Sequence, residues 1–459
     1  MIALLLACTT DPEPVVAPPP PPSPTNLLVV TLDTVRADHL GPYGYHRETT
    51  PALDILASQG TVYTSVYAPV ATTLPSHLSL LTGAYPLEHG LLSNHGNHRG
   101  DDATRYARNA ELATFAQAAD ARGWDTAAFV SAAPLKRHSG LHVGFDHYDQ
   151  PEKAERSAEE TIALAASWLT ADREVPSFAL VHLFDAHYPY AAPEPYGSRF
   201  AGAPGTAELL AERGAVLSFT GTVNSTVDGS ILKQEMSTVE LVDAYDGELA
   251  YLDAQLGSLF RTLSHAGRLE DTVIVVVGDH GEGLGQHGEW MHGNVHQEQL
   301  QVPLIVRVPG QEPGRDDRLL SLADVLPVVL PSLGDWSGFL AQVPERAAGV
   351  MGQRTGSLRR DLTGGRTYTW FDGRYKLVDN ADGQLLFDLE ADPLELTPID
   401  DPERTAAMLE TLTGERGAMT ERLGELVDLS SGDDPLQSGM MRKADKAPLE
   451  ELRALGYVE

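Results

Sequence analysis

Four short apolar runs, rich in β-branched residues, recur before residue 280 of the chain. They cover residues 27–31, 126–130, 178–182 and 273–277, and continuous apolar runs of this length are typical of buried strands in a parallel sheet. Between them, apolar residues at helical spacing predict helices over residues 111–122, 154–170 and 240–266. Strands that alternate with helices predict an α/β fold, with a large mixed, mostly parallel sheet sandwiched by helices.

The pattern changes after about residue 345. Residues 366–379 and 384–389 resemble short antiparallel strands around tight turns, and a charged helical pattern follows over 402–426. We therefore predict a main domain over 26–345 and a smaller C-terminal subdomain over 346–459, with a small antiparallel sheet and a helical tail. Residues 202–235 are less regular and predict an insertion in the main domain.

The first 25 residues differ from the rest. The chain holds a single cysteine, Cys8, so it can form no internal disulfide. The run Leu5-Leu6-Ala7-Cys8 resembles a bacterial lipobox, and a proline-dominated stretch over 12–24 predicts an extended, semi-rigid spacer. This predicts a short leader and linker, a membrane tether through lipidated Cys8 and a location in the cell envelope. A mis-assigned start codon is the alternative interpretation.

The net charge of the chain bears on which molecules it can bind. It carries 65 acidic and 33 basic residues, for a formal net charge of −32. A field of that sign repels phosphate backbones, which argues against a nucleic-acid partner. A site for an anion must therefore be local, built from metal, histidines and backbone amides.

Residues capable of chemistry follow two of the predicted strands and begin one predicted helix. Asp33 comes directly after the first strand, and Asp279 with His280 comes directly after the fourth. A carboxylate beside an imidazole suits a divalent ion such as Mn or Zn, although Asp33 alone could equally cap a helix. Pro75 suits the first turn of a helix and leaves Thr73 at the amino end. There Thr73 either caps the helix or, where free amides favour an anion, serves as a nucleophile.

These segments, in this order, resemble the signatures of the sulfatase family within the alkaline-phosphatase superfamily. The resemblance rests on Leu-Asp-Thr at 32–34 with Val-Arg-Ala-Asp-His-Leu-Gly after it, Thr-Leu-Pro-Ser-His at 73–77, and Gly-Asp-His-Gly-Glu at 278–282. Phe-Asp-Ala-His-Tyr-Pro-Tyr at 184–190 and Val-Pro-Leu-Ile-Val-Arg at 302–307 extend it. It implies a metal-dependent hydrolase that cleaves a sulfate or phosphate ester of a small molecule or a glycan.

The resemblance also implies roles for individual residues. The roles are to bind a divalent ion, to attack the ester, to contact its oxygens and to protonate the leaving group. Residues that match metal ligands are Asp33, Asp279 and His280, with Thr34 assisting; Thr73 matches the nucleophile, His187 and His292 match groups that bind ester oxygens or protonate the leaving group, and Asn94 and His77 occupy substrate-binding positions.

Three positions depart from the family pattern. Sulfatases carry Cys or Ser at the position of Thr73 and oxidise it to formylglycine, which threonine cannot form, so we expect a divalent ion (Mn, Zn or Ca) and no formylglycine. His77 replaces an arginine, and Thr34 stands where many relatives have an aspartate. Without the second hydroxyl of formylglycine, a Thr73 ester must be cleaved by direct displacement, which related threonine-using enzymes achieve with phosphate. The sequence leaves sulfate and phosphate open. The alternatives are a phosphodiesterase or phosphotransferase acting on cell-envelope material, and a non-catalytic sulfatase-like binding protein.

Overall fold

An eight-stranded sheet runs through the middle of the protein. In the computed structural model, residues 25–94, 107–109, 111–215, 221–225, 232–354, 367–423 and 426–428 are described. The strands of this sheet are β1 Asn26–Leu32, β2 Thr61–Tyr63, β3 Asp125–Phe129, β4 His147–Asp149, β5 Ser177–Leu183, β6 Thr272–Gly278, β7 Leu304–Arg307 and β8 Gly314–Asp316. Their order is β8-β2-β7-β6-β1-β5-β3-β4, and β7 runs against its two neighbours while the other pairings are parallel. The predicted mixed, mostly parallel sheet is confirmed.

The apolar runs of the sequence form the middle of this sheet. β1 lies between β6 and β5, and all seven residues of β5 and of β6 are buried. Burial on both faces explains why these strands read as continuous rather than alternating apolar runs. The pairing sets Leu32 beside Gly278 on one side and Leu183 on the other. Residues that follow these three strands therefore meet at one edge of the sheet.

Helices cover both faces of the sheet. Odd-numbered β1 residues such as Val29 pack with α2, α3 and α7, and even-numbered ones such as Val30 pack with α4 and α6. The helices are α1 Pro51–Ala57, α2 Thr73–Thr82, α3 Phe115–Asp120, α4 Ala158–Leu169, α5 Thr206–Glu212, α6 Thr238–His265, α7 Leu322–Val329 and α8 Pro402–Glu421, with single turns over Pro86–His89, Gln297–Leu300 and Ser337–Leu340. The helix predicted over 111–122 is shorter because Thr114 caps it, in a reciprocal pair of hydrogen bonds with Gln117.

A second, antiparallel sheet lies towards the C-terminus. Its strands are β9 Val350–Gln353, β10 Tyr368–Phe371, β11 Tyr375–Asn380 and β12 Gly383–Asp388, paired in sequence order. This sheet and α8 share a buried cluster with residues that precede or follow the main strands, including Tyr67, Ala71 and Val295. The C-terminal part therefore packs against segments that reach the carboxyl edge of the main sheet.

Short two-stranded pairings complete the described structure. They join Val66–Tyr67 to Leu320–Ser321, Ala107–Asn109 to Leu426–Asp428, Gly221–Ser225 to Leu232–Met236, and Gly283–Leu284 to Trp290–Met291. The third pairing falls in the predicted insertion. Cys8 and the proline-rich stretch lie outside the described residues. Among the described helices, none is both long and apolar enough to cross a membrane.

The buried middle of the sheet should carry much of the stability. Leu180 in β5 is fully buried, whereas Leu164 in α4 is 43% exposed. Because a cavity in a close-packed core adds to the lost transfer free energy, Leu180→Ala should lower the free energy of unfolding by about 2–5 kcal/mol. Leu164→Ala should change it by less than about 1 kcal/mol. Urea unfolding curves of the two variants test this, and equal midpoints would contradict the assignment of the core.

Candidate active site

Two carboxylates follow neighbouring strands at the carboxyl edge of the sheet. Asp33 follows β1 and its amide donates to the carbonyl of Leu183; Asp279 follows β6 and its amide donates to the carbonyl of Leu32. Both side chains are buried. The strand pairing thus brings together two acids that are far apart in the sequence.

Three ligand atoms converge there. Oδ1 of Asp33 lies 3.9 Å from Nε2 of His280, and Oδ2 of Asp279 lies 3.7 Å from the same nitrogen. None of the three atoms has a hydrogen-bond partner among the described residues, although all are buried. Nδ1 of His280 lies 3.0 Å from the carbonyl of Gly281, so it carries the proton and leaves a lone pair on Nε2. Buried polar atoms without partners are costly, and two oxygens and one imidazole suit a divalent ion. The predicted ligands fit a metal.

Neighbouring groups fix the orientation of both carboxylates. Nε2 of His182 donates to Oδ2 of Asp33 at 3.1 Å, while the amide of Ser131 donates to Nδ1 of His182 at 3.3 Å. The two contacts define a single tautomer of a fully buried histidine. Oδ1 of Asp279 accepts from the amides of Thr34 (3.2 Å) and His280 (2.7 Å). Supports of this kind direct the remaining lone pairs towards a bound ion.

Burial shifts the pKa values of all three candidate ligands. Burial raises the pKa of Asp33 to about 8, and the nearby hydroxyl of Thr73 partly offsets the rise. Burial and then the charge of Asp33 raise the pKa of Asp279, and burial lowers that of His280. Two ionised carboxylates and a neutral imidazole are the forms that bind metal, and a divalent ion would stabilise them.

Thr34 and His77 contact backbone and side-chain groups of the site. The hydroxyl of Thr34 lies 2.7 Å and 2.8 Å from the carbonyls of Asp33 and Ala186, and it is the backbone amide of Thr34 that contacts Asp279. The ring nitrogens of His77 lie 2.8 Å from the carbonyl of Thr73 and from the hydroxyl of Thr31. The arrangement favours a supporting role for both side chains over the predicted metal contact and substrate contact.

Thr73 lies at the amino end of α2. It is the first helical residue, Thr72 holds the capping position, and Oγ1 of Thr73 is buried without a hydrogen-bond partner of normal geometry among the described residues. The hydroxyl therefore does not cap the helix. Oδ1 of Asn94 accepts from the amide of Leu74 at 2.8 Å, which places the amide group of Asn94 next to the residue that follows Thr73. Its contact with substrate stays a prediction.

The rings of His187 and His292 contact each other. Their Nε2 atoms are 3.2 Å apart. Nδ1 of His187 lies 2.6 Å from the carbonyl of Tyr188, and Nδ1 of His292 lies 3.0 Å from the carbonyl of Ala71. The ring of His292 is 4.4 Å from that of His280, centroid to centroid. The structure thus brings the two predicted leaving-group residues to the ligand set.

His182 was not predicted from the sequence. It lies within the apolar run that forms β5, and its ring contacts Asp33. The available signal was a histidine near the carboxyl end of an otherwise apolar strand. That position faces the same edge of the sheet as Asp33.

The mostly parallel sheet, with acids and histidines after its central strands, agrees with an ester hydrolase. The family model described as Sulfatase matches residues 25–334, so the chain belongs to the sulfatase family.

The chain is similar in sequence to known sulfatases and in fold to a solved phosphonate monoester hydrolase. The choline-sulfatase of Rhizobium meliloti (strain 1021) is 34% identical over 185 residues, which span 38% of this chain and only 36% of that relative. The arylsulfatase of Clostridium perfringens (strain 13 / Type A) is 22% identical over 446 residues, 81% of this chain and 89% of that one. The crystal structure of the phosphonate monoester hydrolase of Agrobacterium radiobacter superposes with a TM-score of 0.65 at 23% identity, over 86% of this chain and 96% of that chain.

Metal affinity should depend on pH. The carboxyl of Asp33 has a raised pKa of about 8 in the metal-free site, so below that pH a proton competes with the ion. The affinity for Mn²⁺ should rise by up to about tenfold per pH unit for each proton released and level off only once both carboxyls are ionised. Titration calorimetry at a series of pH values measures this. An affinity that is constant or falls over the same range would contradict the assigned ligands.

The hydrogen bond from His182 gives a second expectation. His182→Ala removes the donor that orients Asp33, and loss of such a support typically weakens metal binding by about 10–100-fold. His265→Ala, at the exposed C-terminal end of α6, is the matched control. Equal Mn²⁺ affinities in the two variants would show that the contact with Asp33 does not matter for binding.

Proposed function

We propose that the chain hydrolyses a sulfate or phosphate ester by attack of the Thr73 hydroxyl, with a divalent ion held by Asp33, Asp279 and His280. The observation that carries the proposal is the position of Oγ1 of Thr73. It is buried, has no hydrogen-bond partner of normal geometry among the described residues, and lies close enough to Asp33 to lower the pKa of that carboxyl. The nucleophile and the ligand set thus share one site.

The chain holds Thr73 in place for attack. His77 binds the carbonyl of Thr73, and Asn94 binds the next amide along the helix. A bound divalent ion lowers the pKa of a coordinated hydroxyl and offsets the negative charge of the ester. Oγ1 of Thr73 then attacks the phosphorus or sulfur in line with the leaving oxygen and forms a covalent ester, which water cleaves in a second displacement.

The amino end of α2 and Asn94 receive the remaining ester oxygens. The first turn of a helix favours negative charge, and the amide nitrogen of Asn94 is a donor beside Thr73. These groups match the charge that develops on the equatorial oxygens in the transition state. They add no positive charge of their own, which suits a site that also contains a metal ion.

His187 and His292 act on the leaving group. Since both rings direct Nδ1 to a backbone carbonyl, the contact between their Nε2 atoms accommodates one proton. Burial lowers the pKa of His187 and lowers that of His292 to about 4. An anionic ester bound beside the pair favours the protonated form, so the proton accompanies the substrate and passes to the departing oxygen.

Threonine favours phosphorus over sulfur as the atom attacked. The second step is a displacement, because Thr73 has no second hydroxyl to expel sulfate by elimination. Oxidation to formylglycine is excluded by the methyl group on the Thr73 Cβ. We accordingly expect phosphate or phosphonate esters to be turned over faster than sulfate esters. The leaving group is a small molecule or a glycan, and lipidated Cys8 would place the enzyme in the cell envelope.

The Thr73→Ala variant tests the proposal. Phosphate and sulfate release would be measured from aryl phosphate mono- and diesters, aryl phosphonate monoesters and aryl sulfates, with Mn²⁺, Zn²⁺ or Ca²⁺. Loss of the nucleophile should reduce kcat at least about 1,000-fold. Thr82→Ala, at the other end of α2, is the control and should keep most of the activity.

Two outcomes would contradict the proposal. Turnover retained in Thr73→Ala would rule out the nucleophile, and turnover unaffected by a chelator would rule out the metal. In methanol–water mixtures, transfer of the phosphoryl or sulfuryl group to methanol at the expense of hydrolysis would favour the phosphotransferase alternative.

A further inference from the structure

A contact joins the loop that carries His292 to the segment that follows the C-terminal sheet. The loop, residues 281–296, follows β6 and the metal-ligand candidates. From this loop His287 reaches Leu394, which lies beyond β12: Nε2 of His287 is 3.0 Å from the carbonyl of Leu394. Its other nitrogen, Nδ1, lies 3.1 Å from Oε1 of Glu298. One side chain thus links three segments.

The two partners define the protonation state of His287. A carbonyl oxygen and a carboxylate oxygen can only accept hydrogen bonds, so both ring nitrogens must donate. A neutral imidazole carries one N–H and could satisfy only one of them. His287 is therefore an imidazolium in this arrangement. Hydrogen bonding to Glu298 and the charges of Glu298 and Glu395 raise the pKa of His287, against the effect of burial.

The backbone is unusual at both ends of this contact. His287 has φ of 56° and Glu395 has φ of 54°. These values lie in the left-handed region, which residues other than glycine adopt infrequently. Such conformations persist where surrounding contacts fix them, and they concentrate near functional sites. Both residues make the contacts that join the loop to the C-terminal sheet.

Other charged groups surround His287. The ring of His296 stacks on it at 3.8 Å between centroids and 10° between planes. Nδ1 of His296 lies 3.7 Å from Oε2 of Glu395, and Nε2 lies 3.9 Å from Oε2 of Glu289. Glu395 in turn pairs with the buried ammonium of Lys376 on β11 at 2.5 Å.

Lys376 ties the same loop at its far end. Its Nζ donates to the carbonyl of Val295 at 2.6 Å. His292 therefore lies between two attachments to the C-terminal part, one from His287 to Leu394 beyond the sheet and one from Val295 to Lys376 of the sheet. Movement of the loop would move His292 relative to the carbonyl of Ala71, which its ring contacts.

A metal ion is the competing interpretation of this cluster. His287, His296 and Glu395 place ligand atoms within 4.8 Å of one another. However, both nitrogens of His287 already contact acceptors, and the carboxylate of Glu395 forms an ion pair with the ammonium of Lys376. The cluster is better described as an ion-pair network.

We infer that His287, as an imidazolium, is a positioning residue that ties the loop carrying His292 to the segment that follows the C-terminal sheet. The inference rests on the proposed function, in which His292 acts on the leaving group. Because only the imidazolium makes both contacts, both are present below the pKa of His287, and one of them is lost as the pH rises through it. Turnover should show a corresponding alkaline decline.

The test compares His287→Phe with His265→Phe, an exposed histidine on α6. Phenylalanine keeps a planar ring but donates no hydrogen bond. Hydrogen exchange of the backbone over 283–296 and 392–397 would be measured together with kcat and KM between pH 5.5 and 9.5. His287→Phe should exchange faster in both segments, lose about tenfold or more in kcat with a smaller change in KM, and lack the alkaline decline. His265→Phe should match the wild type in every measurement.

Glu298→Gln provides a milder variant. It keeps an acceptor but removes the charge that stabilises the imidazolium, so the alkaline limb of both exchange and kcat should move to lower pH by about one unit. Wild-type exchange in His287→Phe, or an unshifted limb in Glu298→Gln, would overturn the inference. Zn²⁺ binding that is abolished by His296→Ala would support the metal site instead and also overturn it. If the wild type turns over no ester, the proposed function fails, while the exchange measurements still decide whether the tie exists.

Discussion

Two buried carboxylates sit side by side where β1 and β6 end, and the rest of the site depends on how their charge is balanced. The parallel register that pairs Leu32 with Gly278 brings Asp33 and Asp279 together. Neither could ionise easily in a buried position without a cation. The surrounding groups are arranged accordingly: His182 and two backbone amides occupy the outer lone pairs, and the inner atoms converge with Nε2 of His280. The hydroxyl of Thr73 lies close to the carboxylate of Asp33, so the proposed nucleophile and the proposed metal ligands occupy one site.

Much of this arrangement follows from local sequence. Apolar runs too continuous for a half-exposed sheet predicted the central strands, and acids directly after two of them predicted the ligand set, because carboxyl ends of parallel strands share an edge. Pro75 predicted the helix that presents Thr73. The strands and the helix could be predicted because each depends on contacts within one element or between neighbouring strands whose pairing the α/β fold dictates, and the ligand set stays a prediction. The proximity of His187, His292 and Asn94 could be predicted only from the family resemblance, since they come from three separate loops.

Other features could not be predicted because they depend on side-chain directions across the fold. The sequence shows that Thr34 follows Asp33. It shows neither the left-handed backbone of Thr34 (φ 55°) nor the contact of its hydroxyl with two carbonyls. His77 is one helical turn from Thr73 and looks equally able to face substrate, yet its ring bonds the carbonyl of Thr73 and the hydroxyl of Thr31. The contact between His287 and Leu394 spans 107 residues and has no local signature.

The most direct test of the account is the stereochemical course of the reaction at phosphorus or sulfur. A chiral phosphorothioate or isotopically chiral sulfate ester, whichever class is turned over, would be hydrolysed in ¹⁸O-labelled water and the configuration of the product determined. Attack by Thr73 followed by attack of water comprises two in-line displacements, so the account predicts net retention. Net inversion would mean that water attacks the ester directly, and it would contradict the central claim that Thr73 is the nucleophile.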